Sequence, residues 1–180
     1  MASALLPALT TWEQFQQYPA VDLGHHELRD GVVISVPPAS KQHAYIQQQI
    51  REALKIALGS LGYVNSEVPY RPVAEYQSWQ ADVAFVPREI YEQIPDNWST
   101  VYAPALIVEI LSPSNRESKL AHQRALAMSA GCQEFWIVDG SRQTVHVTTA
   151  QGTKLYGCDN VIPLDAFVPN HTVRVDLFFA

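Results

Sequence analysis

The sequence is poor in charge, in cysteine and in long apolar runs, and each shortage removes a class of protein. Charged residues make up only 17% of the 180 positions, with 12 Lys and Arg against 18 Asp and Glu, for a net charge of −6. Such a chain lacks the basic surplus by which general nucleic-acid binders collect phosphates, so any such surface must be a local patch on an acidic body. Its two cysteines, Cys132 and Cys158, have no zinc-site spacing and fit reduced thiols, with one disulfide as the alternative. No apolar stretch approaches the ~18 residues that cross a bilayer. The first ten residues carry no basic residue and are too short for a secretory signal, so a cytoplasmic protein with no membrane partner is expected. Phosphate-binding glycine loops, nucleophile elbows and zinc-protease motifs are missing too, as are internal repeats and linkers.

What is present is hydrophobic: 47% of residues, enough for a single domain over residues 1–180 with a substantial core. Thr11 to Tyr18 reads as a short helix capped by Thr11 or Thr10 and stopped by Pro19. Asp30-Gly31, between Glu27-Leu-Arg and Val32 to Val36, is a type I′ hairpin signal, since both positions tolerate positive φ. From Lys41 to Leu58 the residues Ile46, Ile50, Leu54, Ala57 and Leu58 recur at helical spacing, which predicts a helix about 27 Å long. Tyr63 to Tyr70 and Ala81 to Val86 read as strands, with a short helix over Arg88 to Ile94. Ser114-Asn-Arg-Glu117 is a capping-box pattern for a helix reaching Ala130, with Gly131 as its stop. Gln133 to Val138 is a strand, and Thr144 to Thr149 with Thr153 to Tyr156 form a closing hairpin. The order predicts an α/β fold, a central mixed sheet flanked by helices.

The chemistry concentrates in Pro104-Ala-Leu-Ile-Val-Glu-Ile-Leu-Ser-Pro-Ser114. This β-branched run, bounded by prolines, reads as a strand buried on both faces, yet it carries Glu109 at its centre. A carboxylate left alone there costs several kcal/mol, so it calls for a cation, a metal or a proton. A second acid, Asp82, opens the apolar strand Ala81 to Val86, on the face of Ala84 and Val86 by alternation. If those strands are neighbours, both acids aim at one point. Mg²⁺ needs only one or two protein oxygens and keeps several waters, so two acids suffice for it. The alternative is a pair of strand-end acids bonded to backbone or arginine. His25-His26 is no metal cluster, because consecutive strand residues face apart. Trp79, Trp98 and Trp136 read as core and edge residues rather than base-stacking platforms.

Asp82, followed by Val108-Glu109-Ile-Leu-Ser-Pro-Ser114, resembles the PD-(D/E)XK nuclease superfamily. More narrowly the chain is similar to the bacterial Uma-type family of restriction-endonuclease-like proteins. The likeness runs through Glu27-Leu-Arg-Asp-Gly, Pro37-Pro-Ala-Ser with His43 beyond, Ala81-Asp82-Val, and Ala130-Gly-Cys-Gln-Glu-Phe-Trp-Ile-Val-Asp139. The resemblance implies a restriction-endonuclease-like fold and a metal-dependent endonuclease that hydrolyses DNA phosphodiesters. It implies Asp82 and Glu109 as ligands of Mg²⁺ or Mn²⁺, Glu27 as an auxiliary acid, and His43 as a further site residue. The usual proline before the first acid is Ala81, and Leu111 fills the strand position of the superfamily's lysine. The family instead places a lysine on the next helix, eight residues before the glycine, and here that position is Gln123. Glutamine orients a water but brings no positive charge; Arg116, Lys119 and Arg124 lie close by along the helix as substitutes. The expected partners are DNA and a second copy of the chain. The alternative is a catalytically impaired module that binds DNA or protein, and a third reading is a structural oligomer.

Overall fold

The apolar stripe from Lys41 to Leu58 is one helix with those boundaries in the computed structural model, which describes residues 9–19, 25–112 and 117–180. In chain order the elements are α1 (Trp12–Phe15), β1 (His25–Arg29), β2 (Val32–Val36), α2 (Lys41–Leu58), β3 (Gly62–Tyr70) and β4 (Trp79–Pro87). There follow α3 (Arg88–Tyr91), β5 (Leu106–Ile110), α4 (Glu117–Ser129), β6 (Glu134–Asp139), β7 (Thr144–Thr149) and β8 (Gly152–Gly157). The chain ends with β9 (Val161–Pro163), β10 (Thr172–Arg174) and a 3-10 turn, Asp176–Phe178.

Local chemistry accounts for most boundaries. The Ser40 hydroxyl caps α2 by accepting the His43 N–H at 3.2 Å, satisfying one of the donors a helix start leaves open. The β1–β2 turn places Asp30 at φ 50° and Gly31 at φ 74°, the geometry the Asp-Gly pair favours. Thr11 caps α1 in a reciprocal capping box with Gln14. That helix is shorter than the expected run to Tyr18, because Gln17 and Tyr18 donate to Gln14 and Phe15, a three-residue tightening ahead of Pro19. Likewise α3 stops at Tyr91 rather than Ile94. The Ser114 capping box and the position of Arg116 lie outside the described residues. Cys132 and Cys158 are both free, which closes the disulfide alternative. Among the described residues, no helix is long and apolar enough to cross a membrane.

Six strands form one mixed sheet in the order β3-β4-β5-β6-β7-β8. Only β5 and β6 run parallel, and they need the crossover that α4 supplies. On one face Ile46, Ile50, Leu54 and Leu58 of α2 pack over Val83, Phe85, Leu106, Val108 and Ile110, with Phe178 of the C-terminal turn closing the layer. On the other, Leu120 and Ala127 of α4 pack over Ile107, Phe135 and Ile137. All five residues of β5 are buried, as a strand covered on both faces should be. The β1–β2 hairpin lies outside this sheet and joins it through the Leu28–Ser78 bridge. Pro69 sits within β3 without cost because β3 is an edge strand.

At the start of β3 the backbone of the β4–α3 junction comes so close that only glycine fits. A Cβ on Gly62 would stand 2.2 Å from the Val86 carbonyl oxygen and 2.8 Å from the Arg88 nitrogen. Gly62→Ala should therefore lower unfolding free energy by about 1–3 kcal/mol, the usual cost of overpacking, read from urea melts. A wild-type midpoint in that variant would place this contact elsewhere.

Candidate active site

Both neighbours of β4 lose their pairing at Asp82. The β3–β4 ladder runs from Gly62↔Pro87 to Tyr70↔Trp79 but omits the pair Glu67 and Asp82, and Glu67 takes φ 54° there. On the other side, paired residues in β4 and β5 begin at Val83↔Val108; one further step would set Asp82 opposite Glu109. Strict alternation fails at the same place, since Ala81, Ala84 and Val86 belong to one core cluster and Val83 and Phe85 to the other. The expectation that Asp82 simply shares a face with Ala84 and Val86 is corrected accordingly. A kink here lets its carboxylate turn to the β5 backbone, where Oδ2 accepts the Ile110 N–H at 2.6 Å. Oδ1 accepts from His43 Nε2 at 3.1 Å, and the Asp82 carbonyl accepts from Gln47 Nε2 at 2.9 Å. The first turns of α2 thus hold Asp82 through two side chains one helical turn apart.

Glu109 lies on the α4 side, 4% exposed. Its Oε1 accepts from Gln123 Nε2 at 3.0 Å, and the same nitrogen donates to the Tyr70 hydroxyl at 2.9 Å. Burial pushes the Glu109 pKa well above the usual glutamate range, and the charges of Asp82 and Glu27 push it further. Arg29 and Gln123 act in the opposite sense without overcoming that rise. Glu27, 3% exposed, is bonded far better. Its Oε2 accepts from Arg29 at 2.7 Å and 2.5 Å, and its Oε1 accepts the Gln80 N–H at 3.1 Å with His25 Nε2 3.5 Å away. Burial alone would raise its pKa; the His25, Arg29 and Gln80 contacts outweigh that and leave it lowered. His26, facing the other way, packs its ring against Tyr18.

For His43, burial opposes protonation, but the hydrogen bond and charge of Asp82, with Glu67 behind, leave its pKa raised. The five residues singled out in the sequence, Asp82, Glu109, Gln123, Glu27 and His43, therefore form one chain of contacts and fields. Arg124 does not join it: its guanidinium turns to the Thr148 hydroxyl on β7. The Lys119 side chain lies outside the described ones. Leu111, which lines a small hollow together with Ile137, Asp139, Arg142, Thr144 and His146, fills the strand slot of the superfamily's lysine with an apolar side chain.

Sequence reasoning missed Tyr70 and Gln47. Both look like ordinary element residues, and only pairing across 53 and 35 positions reveals them. Among the described residues no group of three or more His, Cys, Asp or Glu side chains is arranged to hold a metal. Two acids and waters still fit the habit of Mg²⁺. A buried acid beside another acid, bonded to no cationic side chain among the described ones, also suits a cation's arrival.

The model of a family described as "Putative restriction endonuclease", Uma2, matches residues 12–177. The chain belongs to this family. Among solved structures, a protein from Anabaena variabilis described as a putative nuclease belonging to DUF820 superposes with a TM-score of 0.78. The two share 22% sequence identity over 94% of this chain and 97% of that one, a likeness that establishes the fold. No curated protein matches the chain. Membership of the family makes this a nuclease-like protein, and the fold neighbour shares its restriction-endonuclease-like mixed sheet.

The two buried glutamates should respond to pH in opposite directions in metal-free buffer. Folding raises the Glu109 pKa, so the stability it contributes is full below the ordinary glutamate pKa and is lost as pH rises through the folded value. Glu109→Gln should raise the melting temperature in neutral and alkaline buffer and flatten that decline. Folding lowers the Glu27 pKa, so its stability is present above the ordinary value and is lost as pH falls through the folded one. Glu27→Gln should destabilise at neutral pH and lose less on acidification. Thermal melts of both variants across pH check the pair of signs, and a common sign for both overturns the assignment.

Proposed function

We propose that the protein is a metal-dependent endonuclease that hydrolyses DNA phosphodiesters. The observation that carries this reading is the placement of Asp82 and Glu109 on adjacent strands, with Glu109 buried, raised in pKa and bonded to no cationic side chain among the described ones. A bound Mg²⁺ or Mn²⁺ would be held by these two carboxylates and would polarise the phosphate and the attacking water. The remaining work falls to the chain's own residues. His43 and the Ile110 N–H hold the Asp82 carboxylate at fixed orientation. Gln123 bonds Glu109 and orients the attacking water. Glu27 acts as an auxiliary acid through its field on Glu109, itself tied down by Arg29 and the Gln80 N–H. Water attacks phosphorus in line with the departing ester oxygen, so the P–O bond to that oxygen breaks as the new one forms; the water gives up a proton to solvent and the departing oxygen takes one from solvent. A cytoplasmic homodimer completes the proposal.

A second reading has its own observation in favour. No positive side chain bonds Glu109 among the described residues, since Arg29 is engaged by Glu27 and Arg124 by Thr148. A protein without that charge would act as an impaired module that binds DNA or protein.

Binding and cutting separate the two readings. Mg²⁺ or Mn²⁺ should raise the wild-type melting temperature by linkage to the folded state, about 2.7 kcal/mol at a hundredfold excess over Kd. Asp82→Ala should remove that response. Plasmid relaxation with either ion should be present in the wild type and lost in Glu109→Ala. Retained DNA binding without cleavage supports the impaired module, and undiminished cutting by Glu109→Ala refutes the site.

A further inference from the structure

With Glu109 ionised, the amide of Gln123 has a fixed sense. Its nitrogen has two hydrogens, and both are used: one on Glu109 Oε1 at 3.0 Å, one on the Tyr70 hydroxyl at 2.9 Å. Its Oε1 is buried and has no hydrogen-bond partner among the described residues. A 180° flip would set that oxygen against an ionised carboxylate, acceptor to acceptor, so a metal-binding Glu109 allows only the orientation seen. One bond does not fix the plane, however. The terminal torsion of glutamine is broad and roughly two-fold, so the amide could still swing about its bond to Glu109. The hydroxyl of Tyr70 removes that freedom.

Tyr70 is well built for the purpose. It is fully buried at the end of β3. Its ring meets Trp79 edge-on at 5.5 Å and 76°, and Tyr70 pairs with Trp79 across the β3–β4 ladder. Burial, then the Glu109 charge, holds its pKa well above the usual tyrosine value, so the oxygen stays a neutral phenol.

We propose that Tyr70 is a positioning residue: by taking the second Gln123 N–H, it fixes the amide so that Oε1 alone is presented to the attacking water. The inference rests on the nuclease reading and gives Gln123 a definite role. A lysine at this point could only donate, whereas Gln123 with both hydrogens committed can only accept. It holds one O–H of the water and turns the oxygen lone pair toward phosphorus. It takes no proton, so the rate step it serves is orientation.

Three variants and two readouts test this. Tyr70→Phe keeps the ring and its packing but removes the hydroxyl. At saturating Mn²⁺ and plasmid DNA it should lower kcat by about 10- to 100-fold, the scale of a misplaced reacting group, with KM and Mn²⁺ affinity unchanged within about twofold. Gln123→Met should lose a similar factor, and Tyr70→Phe/Gln123→Met should be no slower than Gln123→Met alone, since Tyr70 acts through the amide. Equal losses from Tyr70→Phe in both backgrounds, or wild-type kcat in Tyr70→Phe, would overturn the proposal. A wild type that cuts no DNA sinks the nuclease reading, and the second readout then decides the Tyr70 assignment by itself. In ¹⁵N-labelled protein, both Gln123 side-chain protons should exchange slowly. Tyr70→Phe should speed that exchange about five- to tenfold, the worth of one hydrogen bond. Unchanged exchange refutes the assignment.

Discussion

The local free energy of the site turns on one burial, that of Glu109 beside Asp82 and Glu27. Three acids brought together, with Arg29 the one guanidinium near them among the described residues, impose an electrostatic cost on folding, and the surroundings are arranged to limit it. Arg29 and the Gln80 N–H take charge of Glu27, the Ile110 N–H and His43 take charge of Asp82, and among the described residues Glu109 receives only a neutral amide. The acid least compensated by protein is the one most open to compensation from outside. Burying a charge so poorly partnered costs several kcal/mol in general, and a hydrophobic residue in the middle of β5 would avoid it. The other four residues of the strand, all apolar and buried, show what that alternative looks like.

Much of this was legible in the sequence where local chemistry and periodicity agree. The α2 boundaries follow from the Ser40 cap and the stripe Ile46, Ile50, Leu54 and Leu58. The β1–β2 hairpin follows from Asp30-Gly31, and the burial of Glu109 from its apolar flanks. Less was legible where contacts are long-range or elements short. Three-residue strands such as β9 and β10 are too brief for a period. Tyr70 is an ordinary strand aromatic until α4 docks on the sheet. The sidedness of Asp82 failed for a different reason: alternation assumes an unbroken ladder, and the ladder is interrupted opposite Glu67.

The interruption at Asp82 explains how one carboxylate can serve two faces. An unbroken strand would send Asp82 wholly to the α4 side or wholly to the α2 side. The kinked backbone keeps it bonded to His43 on the α2 side, while its charge still raises the pKa of Glu109 on the other. Positive φ at Glu67, a residue with no glycine freedom, is the local strain that accompanies this arrangement.

The β1–β2 hairpin carries Glu27 into the site but belongs to no part of the six-stranded sheet. It is tied on by the Leu28–Ser78 bridge and by Asp30, which accepts from Gln77 and lies 3.2 Å from His122 on α4. The cluster is thus divided between a floor inside the six-stranded sheet and a wall outside it, so the two could open in separate steps. Amide exchange in β5 would then report global unfolding and exchange in β1 a smaller, separate event. Were the wall to open, Glu109 would gain water and lose the opposing charges of Glu27 and Arg29 in the same motion. The share of the electrostatic load that Glu27 adds is therefore a property of the closed hairpin, while the shares from burial and from Asp82 belong to the sheet.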